Sequence, residues 1–347
     1  MKKTLLSLII FSTLHAEYDM KKLQAQYAKP IEQWPKPTID QGIHYNKMRS
    51  LKSENKTELA MLGLRFFHEP RFSKSMIFSC ASCHTPNKAF SEHTKVSTGH
   101  KGLKGGRNSP TLYGAKEGKF FFWDGRAKSL EEQALGPIQN PIEMALPLNK
   151  LKKRLKTMTG YEKDLKKVFG TSDFTLKRLA TAIAAYERII TPPRTKFDTF
   201  LDGDTNAFNP EELLGLHLFR TKARCMNCHS GRYLSDGAFH NLGLTYYKRK
   251  KYEDFGRYNV TKLNTDMGKF KTPTLRQISN TYPYMHNGLF TKLSGIINMY
   301  NNGMPNIKKK TVADFSDPHF PKKSNLLKKL DLSKKEKKAL EAFLRTL

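Results

Sequence analysis

All four cysteines of the 347-residue chain fall in two copies of one pattern, Cys80-Ala81-Ser82-Cys83-His84 and Cys225-Met226-Asn227-Cys228-His229. Cys-x-x-Cys-His is the attachment signature of c-type haem. Two thiols one helical turn apart reach the two vinyl groups of one porphyrin, and the adjacent imidazole turns under the ring to meet the iron. A zinc site shared by the two pairs would need them to converge, and it gives no reason for a His after each pair. A thioredoxin-like redox pair needs a βαβ surround, which neither motif has. The chain must therefore wrap two large rigid groups, tethered by Cys80, Cys83, Cys225 and Cys228, with His84 and His229 as the proximal iron ligands.

The motifs sit in a longer repeat. Leu62-Gly63-Leu64-Arg65-Phe66-Phe67 precedes the first pair, and Leu214-Gly215-Leu216-His217-Leu218-Phe219 precedes the second. Downstream, Ser109-Pro110-Thr111-Leu112 is echoed by Thr272-Pro273-Thr274-Leu275, and Trp123-Asp124-Gly125 by His286-Asn287-Gly288. The order reads as a duplication divided near Pro192-Pro193. The expected division is a leader at 1–16, an N-terminal extension at 17–54, and haem domains at 55–192 and 193–347. Asn209-Pro210-Glu211-Glu212 starts a helix whose apolar face carries Leu213, Leu214, Leu216 and Phe219. Ser333 with Glu336 forms a capping box before Leu340, Phe343 and Leu344. Arg178 to Ile190 is a further helical run, ended by Thr191-Pro192-Pro193. Long loops at 91–118 and 231–288 show no sustained strand alternation, and a rigid cofactor is what organises loops of that length. The predicted fold is mainly α: two cytochrome c-like helical domains with long irregular loops and one covalent haem each.

Lys2 and Lys3, the apolar run Leu5 to Leu14, and Ala16 form a secretory signal with cleavage after Ala16. No later stretch has 18 consecutive apolar residues, so no membrane span is expected after cleavage. Export to a bacterial periplasm follows. The charge is +30, from 61 Lys+Arg against 31 Asp+Glu, which invites acidic partners. Export turns that expectation away from nucleic acid and toward an acidic protein.

From about residue 55 to the C-terminus the chain resembles the bacterial di-haem cytochrome c peroxidase family, including its MauG-like branch. The resemblance rests on both haem motifs, Gly99-His100, Gly106-Arg107-Asn108-Ser109-Pro110-Thr111, Phe122-Trp123-Asp124-Gly125-Arg126-Ala127, Gly136-Pro137-Ile138-Gln139 with Glu143-Met144, and His286-Asn287-Gly288. It implies that the N-terminal haem is peroxidatic, with Glu143 as the acid–base carboxylate and Gln133 as a supporting polar group. It implies that His100 caps the resting iron and swings away when the second haem is reduced; Gly99, Gly102, Gly105 and Gly106 suit a mobile loop. The C-terminal haem is implied to relay electrons, with Trp123 between the two groups.

The second distal ligand stays open. Peroxidases of the family place a Met fourteen residues after the His of the His-x-Gly turn, where this chain has Tyr300. The MauG-like branch keeps a Tyr there, while Met299 and Met304 stand close enough for a register shift. A phenolate lowers the haem potential and a thioether raises it. The resemblance further implies calcium at the Asn108 side chain and the carbonyls of Thr281 and Pro283. The expected activity is reduction of hydrogen peroxide with electrons from a small cytochrome c or cupredoxin, in a chain that family members suggest forms a homodimer. The alternatives are a MauG-like oxidase acting on a partner protein, and a di-haem electron carrier without catalysis.

Overall fold

The computed structural model describes residues 18–347, so the leader expected at 1–16 lies outside the described residues. The helices, in chain order, are α1 (Met20–Tyr27), α2 (Glu58–Phe67), α3 (Cys80–Cys83), α4 (Leu130–Gln139), α5 (Leu148–Thr157), α6 (Glu162–Phe169), α7 (Leu176–Ile189), α8 (Lys196–Leu201), α9 (Pro210–Arg220), α10 (Tyr258–Thr261), α11 (Leu293–Asn301), α12 (Val312–Ser316) and α13 (Lys334–Leu344). One short antiparallel pair, β1 (Phe239–His240) with β2 (Phe270–Lys271), sets Phe239 opposite Lys271 and His240 opposite Phe270.

Each half is built on one helix crossing. In the first, α2 lies against α7. Gly63 sits where a Cβ would collide with the Ala182 carbonyl, so only glycine lets the two backbones come this close. Leu62, Phe66, Ile138, Leu151, Leu155, Leu165, Leu179 and Ile183 close one apolar core around the crossing. In the second half α9 lies against α13, and a Cβ on Gly215 would meet the Ala339 carbonyl in the same way. Leu214, Leu216, Phe219, Leu340 and Phe343 share its core. The repeated Leu-Gly-Leu is thus one solution to close helix packing used twice. The expected helix starts are in place: Asn209 with Glu212 and Ser333 with Glu336 both form capping boxes.

The N-terminal extension belongs physically to the second half. Leu23, Tyr27, Trp34 and Met48 join the core that contains Leu214 and Phe343. The extension also grips the second haem motif. Asn227, between the two cysteines, accepts from the Asp40 N–H at 2.8 Å and donates to the Thr38 carbonyl at 3.0 Å.

Polar contacts tie the halves together. Arg107 donates to both oxygens of Asp254, at 2.6 and 2.7 Å, and to Asp124 at 2.6 Å. The Lys271 N–H donates to the Trp123 carbonyl at 2.8 Å.

Candidate haem-binding and redox site

Both Cys-x-x-Cys-His segments make one tight turn in which the His N–H donates to the carbonyl of the first cysteine, at 2.9 Å for His84 and 2.8 Å for His229. The two imidazoles are held alike. His84 Nδ1 lies 3.2 Å from the Phe90 carbonyl and His229 Nδ1 lies 2.9 Å from the Leu234 carbonyl. A carbonyl only accepts, so Nδ1 carries the proton and Nε2 keeps a lone pair for a metal. Burial pushes both imidazoles below the ordinary histidine pKa, which keeps them neutral as ligands must be.

The accepting carbonyls belong to left-handed residues, Phe90 at φ 54° and Leu234 at φ 51°. The repeated Pro-Thr-Leu explains how those turns are held. The Thr111 hydroxyl donates to the Ala89 carbonyl at 2.6 Å, and the Thr274 hydroxyl donates to the Tyr233 carbonyl at 2.6 Å. Each Thr thus fixes the residue before the one that orients the proximal His. The four thiols are free, and burial pushes those of Cys80 and Cys225 up to about 12. Paired buried thiols beside a metal-ready imidazole fit a covalently tethered haem in each half.

The distal corner of the first half is built at the end of α4. Asn140 caps that helix, and its Oδ1 accepts from the Ile142 N–H at 3.2 Å. The tight turn that follows brings Glu143 back, so that Asn140 Nδ2 donates to Glu143 Oε1 at 2.9 Å. Burial raises the Glu143 pKa above the ordinary carboxylate value, against the opposing pull of Arg126 and Asn140. Burial first, then the charge of Glu92, pushes Cys83 up to about 11.

The His100 loop docks on the same corner. Its N–H donates to the Glu143 carbonyl at 2.8 Å, and Gly99 lies so close to the Ile142–Glu143 backbone that a Cβ would collide. Both ring nitrogens of His100 and Oε1 of Gln133 are buried with no hydrogen-bond partner among the described residues. Buried polar atoms without a partner call for a ligand, and an imidazole nitrogen such as those of His100 is a donor that a haem iron would accept.

A large cavity occupies the second half. Cys225, Cys228, His229, Tyr300, Trp123 and His286 are among the residues that line it. Burial, then the Cys228 and Cys225 thiols, push the Tyr300 phenol up. Met299 and Met304 are not among the lining residues. Asn108, Thr281 and Pro283, the calcium set implied by resemblance, share this one wall. Asn108 Nδ2 donates to the Thr94 carbonyl at 2.9 Å, which leaves Oδ1 as the oxygen on offer.

Trp123 stands between the halves. Its Nε1 donates to the Asn108 carbonyl at 2.8 Å, and its ring centre lies 6.4 Å from that of His286. His286 stacks on Phe270 at 3.5 Å, and burial pushes its pKa down to about 4. His240 lines the cavity paired with Asp236 at 2.8 Å. Sequence reasoning missed Asn140, whose signal was an Asn at a helix end three residues before the acid. It also missed the Thr111 and Thr274 hydroxyls, which it saw only as a repeat, and the half-buried Lys271, which lines the cavity and donates to the Phe120 carbonyl at 3.0 Å.

Two tethering turns with metal-ready imidazoles, a half-buried carboxylate at a helix end of the first half and a cavity bordered by tryptophan in the second define a di-haem c-type redox protein. The family profile of di-haem cytochrome c peroxidase matches residues 57–206. The chain is 40% identical to cytochrome c551 peroxidase of Nitrosomonas europaea, over 70% of this chain and 72% of that one. It is 31% identical to methylamine utilization protein MauG of Methylorubrum extorquens, over 96% of this chain and 86% of that one. A crystal structure of a MauG-like protein associated with microbial copper homeostasis superposes with a TM-score of 0.74 at 28% identity, over 89% of this chain and 95% of that one. The chain belongs to the di-haem cytochrome c peroxidase family.

Proposed function

We propose that the chain is an exported peroxidase that reduces hydrogen peroxide to water with electrons from a small redox protein. The observation that carries this reading is the corner where a half-buried Glu143, positioned by Asn140, meets the loop of His100. Haem, when tethered through Cys80 and Cys83 with His84 as its proximal ligand, supplies the iron at which the O–O bond breaks and electrons are delivered. Glu143 takes a proton from the near peroxide oxygen and returns it to the far one, which leaves as water. One peroxide, two electrons and two protons become two waters. Gln133 offers its buried Oε1 to a donor in the same pocket. His100 covers the pocket in the resting protein and moves out when the second haem is reduced. Electrons arrive through the half carrying His229 and cross by way of Trp123. A calcium ion on Asn108 Oδ1 and the carbonyls of Thr281 and Pro283 belongs to the same proposal.

The test is stoichiometric. Purified haem-loaded protein with a reduced cytochrome should oxidise two donor molecules for each peroxide consumed. Electron transfer without peroxide loss would leave only a carrier.

Tyr300 in the cavity favours a second reading, a MauG-like oxidase that acts on a partner protein. Phenolate ligation would hold the second haem at low potential. A spectroscopic redox titration of the native chain beside Tyr300→Phe separates the readings. Loss of a low-potential form in the variant supports the oxidase. An unchanged titration removes Tyr300 from the ligand set.

A further inference from the structure

We propose that α12 and its basic flanks form the seat of the electron donor, an acidic protein with an apolar contact patch. This rests on the peroxidase reading and adds where the donor sits. Val312 is 87% exposed and Phe315 is 69% exposed. They stand three residues apart on one short helix, so they share a face. Single exposed apolar side chains are ordinary, but an adjacent pair rimmed by charge marks a contact surface.

The rim is cationic. Lys308, Lys309 and Lys310 are exposed just ahead of the helix, and Lys309 Nζ lies 5.4 Å from the Phe315 ring centre. A groove beside α12 is lined by Tyr246, Tyr247, Arg249, Lys308 and Lys310, among others. The acids of this face, Asp314 and Asp317, are both paired with Lys248, at 2.9 and 3.0 Å. The two acids share one lysine, so this group offsets only one of the four cations Arg249, Lys308, Lys309 and Lys310, and the rim stays positive.

The seat is also in the right place. Leu244 lines both this groove and the cavity that carries His229 and Tyr300. A Cβ on Gly243, the residue before Leu244, would collide with the Pro305 carbonyl, so the backbone of the groove is closely packed there. A partner seated on Phe315 thus lies against the half that takes up electrons. An apolar centre inside a charged rim is the usual anatomy of a protein contact, and small contacts suit transient electron transfer. A second copy of this chain would set lysine against lysine, whereas an acidic donor meets opposite charge.

The experiment uses the haem-loaded full chain, an acidic reduced cytochrome c, and ascorbate-reduced phenylenediamine as a small-molecule donor. Because both side chains face water, the double variant Val312→Ser/Phe315→Ser should fold as the native chain does. The expected result is a loss of about tenfold in kcat/KM for the cytochrome, with turnover on the small donor unchanged. Changing Lys308, Lys309 and Lys310 together to Glu should flatten the fall of kcat/KM with added salt. Retention of native kcat/KM and salt dependence in both variants would overturn the seat. So would sedimentation showing a dimer that the Val312/Phe315 variant dissolves, since the occupant would then be a second copy. Direct binding of the cytochrome to an immobilised chain reads the seat without turnover. If the native chain reduces no peroxide with either donor, the peroxidase reading fails. The seat then stands or falls on whether the double variant loses that binding.

Discussion

In the proposed reaction Glu143 depends on Asn140 for its place. An Asn at the end of α4 bonds the following turn through Oδ1 and the carboxylate through Nδ2. The two residues should therefore fail differently. Glu143→Gln keeps the size and removes the proton carrier, and peroxide turnover should fall by roughly a hundredfold or more, as for loss of a general acid–base group. Asn140→Ala leaves the carboxylate but frees it, and kcat should fall by roughly tenfold to a hundredfold while the visible spectrum stays native. Steady-state assays beside absorption spectra check both. At this scale the two Cys-x-x-Cys-His turns were legible in the sequence, because the motif's fixed spacing is itself the signal. Asn140 was not, because its bond to Glu143 depends on a turn that α4 and Pro141 shape together. Of the three candidates, Met299 and Tyr300 lie on α11 and Met304 lies just beyond its end. Folding that helix against the cavity puts Tyr300, and neither Met, on the cavity wall.

The elements repeat a single design, and the design makes paired predictions. Gly63 and Gly215 each meet a backbone carbonyl of the partner helix. Gly63→Ala and Gly215→Ala should each lower stability by about 1–3 kcal/mol through overpacking, measured by chemical denaturation. Equal behaviour of the two crossings is expected, since α2 on α7 repeats α9 on α13. The repeat was readable as Leu-Gly-Leu, and the capped helices as capping boxes, because those signals are local. The loops were readable only as loops. Their shape comes from single hydroxyls such as Thr111 and Thr274, each bonding a left-handed turn. The loop of His100 rests on the backbone of Glu143 by one N–H bond and a glycine contact. So few bonds to the Glu143 backbone suit the displacement proposed for His100. His100→Gly should be active without prior reduction, whereas the native chain should show a lag until the second haem is reduced. Equal lags in both would exclude the cap.

At the scale of the whole molecule the two halves work as one body, joined where Arg107 bridges Asp124 and Asp254. Burial alone would raise the Asp254 pKa, but the hydrogen bonds and charge of Arg107 hold it below the ordinary value. A carboxylate depressed in the folded state contributes stability that is present above its unfolded pKa of about 3.9 and is lost as the pH falls through the folded value. Asp254→Asn should therefore cost about 3 kcal/mol at neutral pH. The gap between variant and native chain should close in acid, below about pH 4, as measured by denaturation across pH. The sequence marked a boundary near Pro192-Pro193, and that division misses how the extension, through Trp34 and Asp40, returns to the second half. Long-range return of this kind leaves no periodic trace in composition or spacing.

Rapid mixing of the haem-loaded, reduced chain with one equivalent of hydrogen peroxide tests the division of labour most directly. The expected result is that the spectrum of the half bearing His229 returns to the oxidised form as peroxide disappears, and that Glu143→Gln slows this by roughly a hundredfold. Peroxide consumed while that half stays reduced, or at the native rate in the variant, would contradict it.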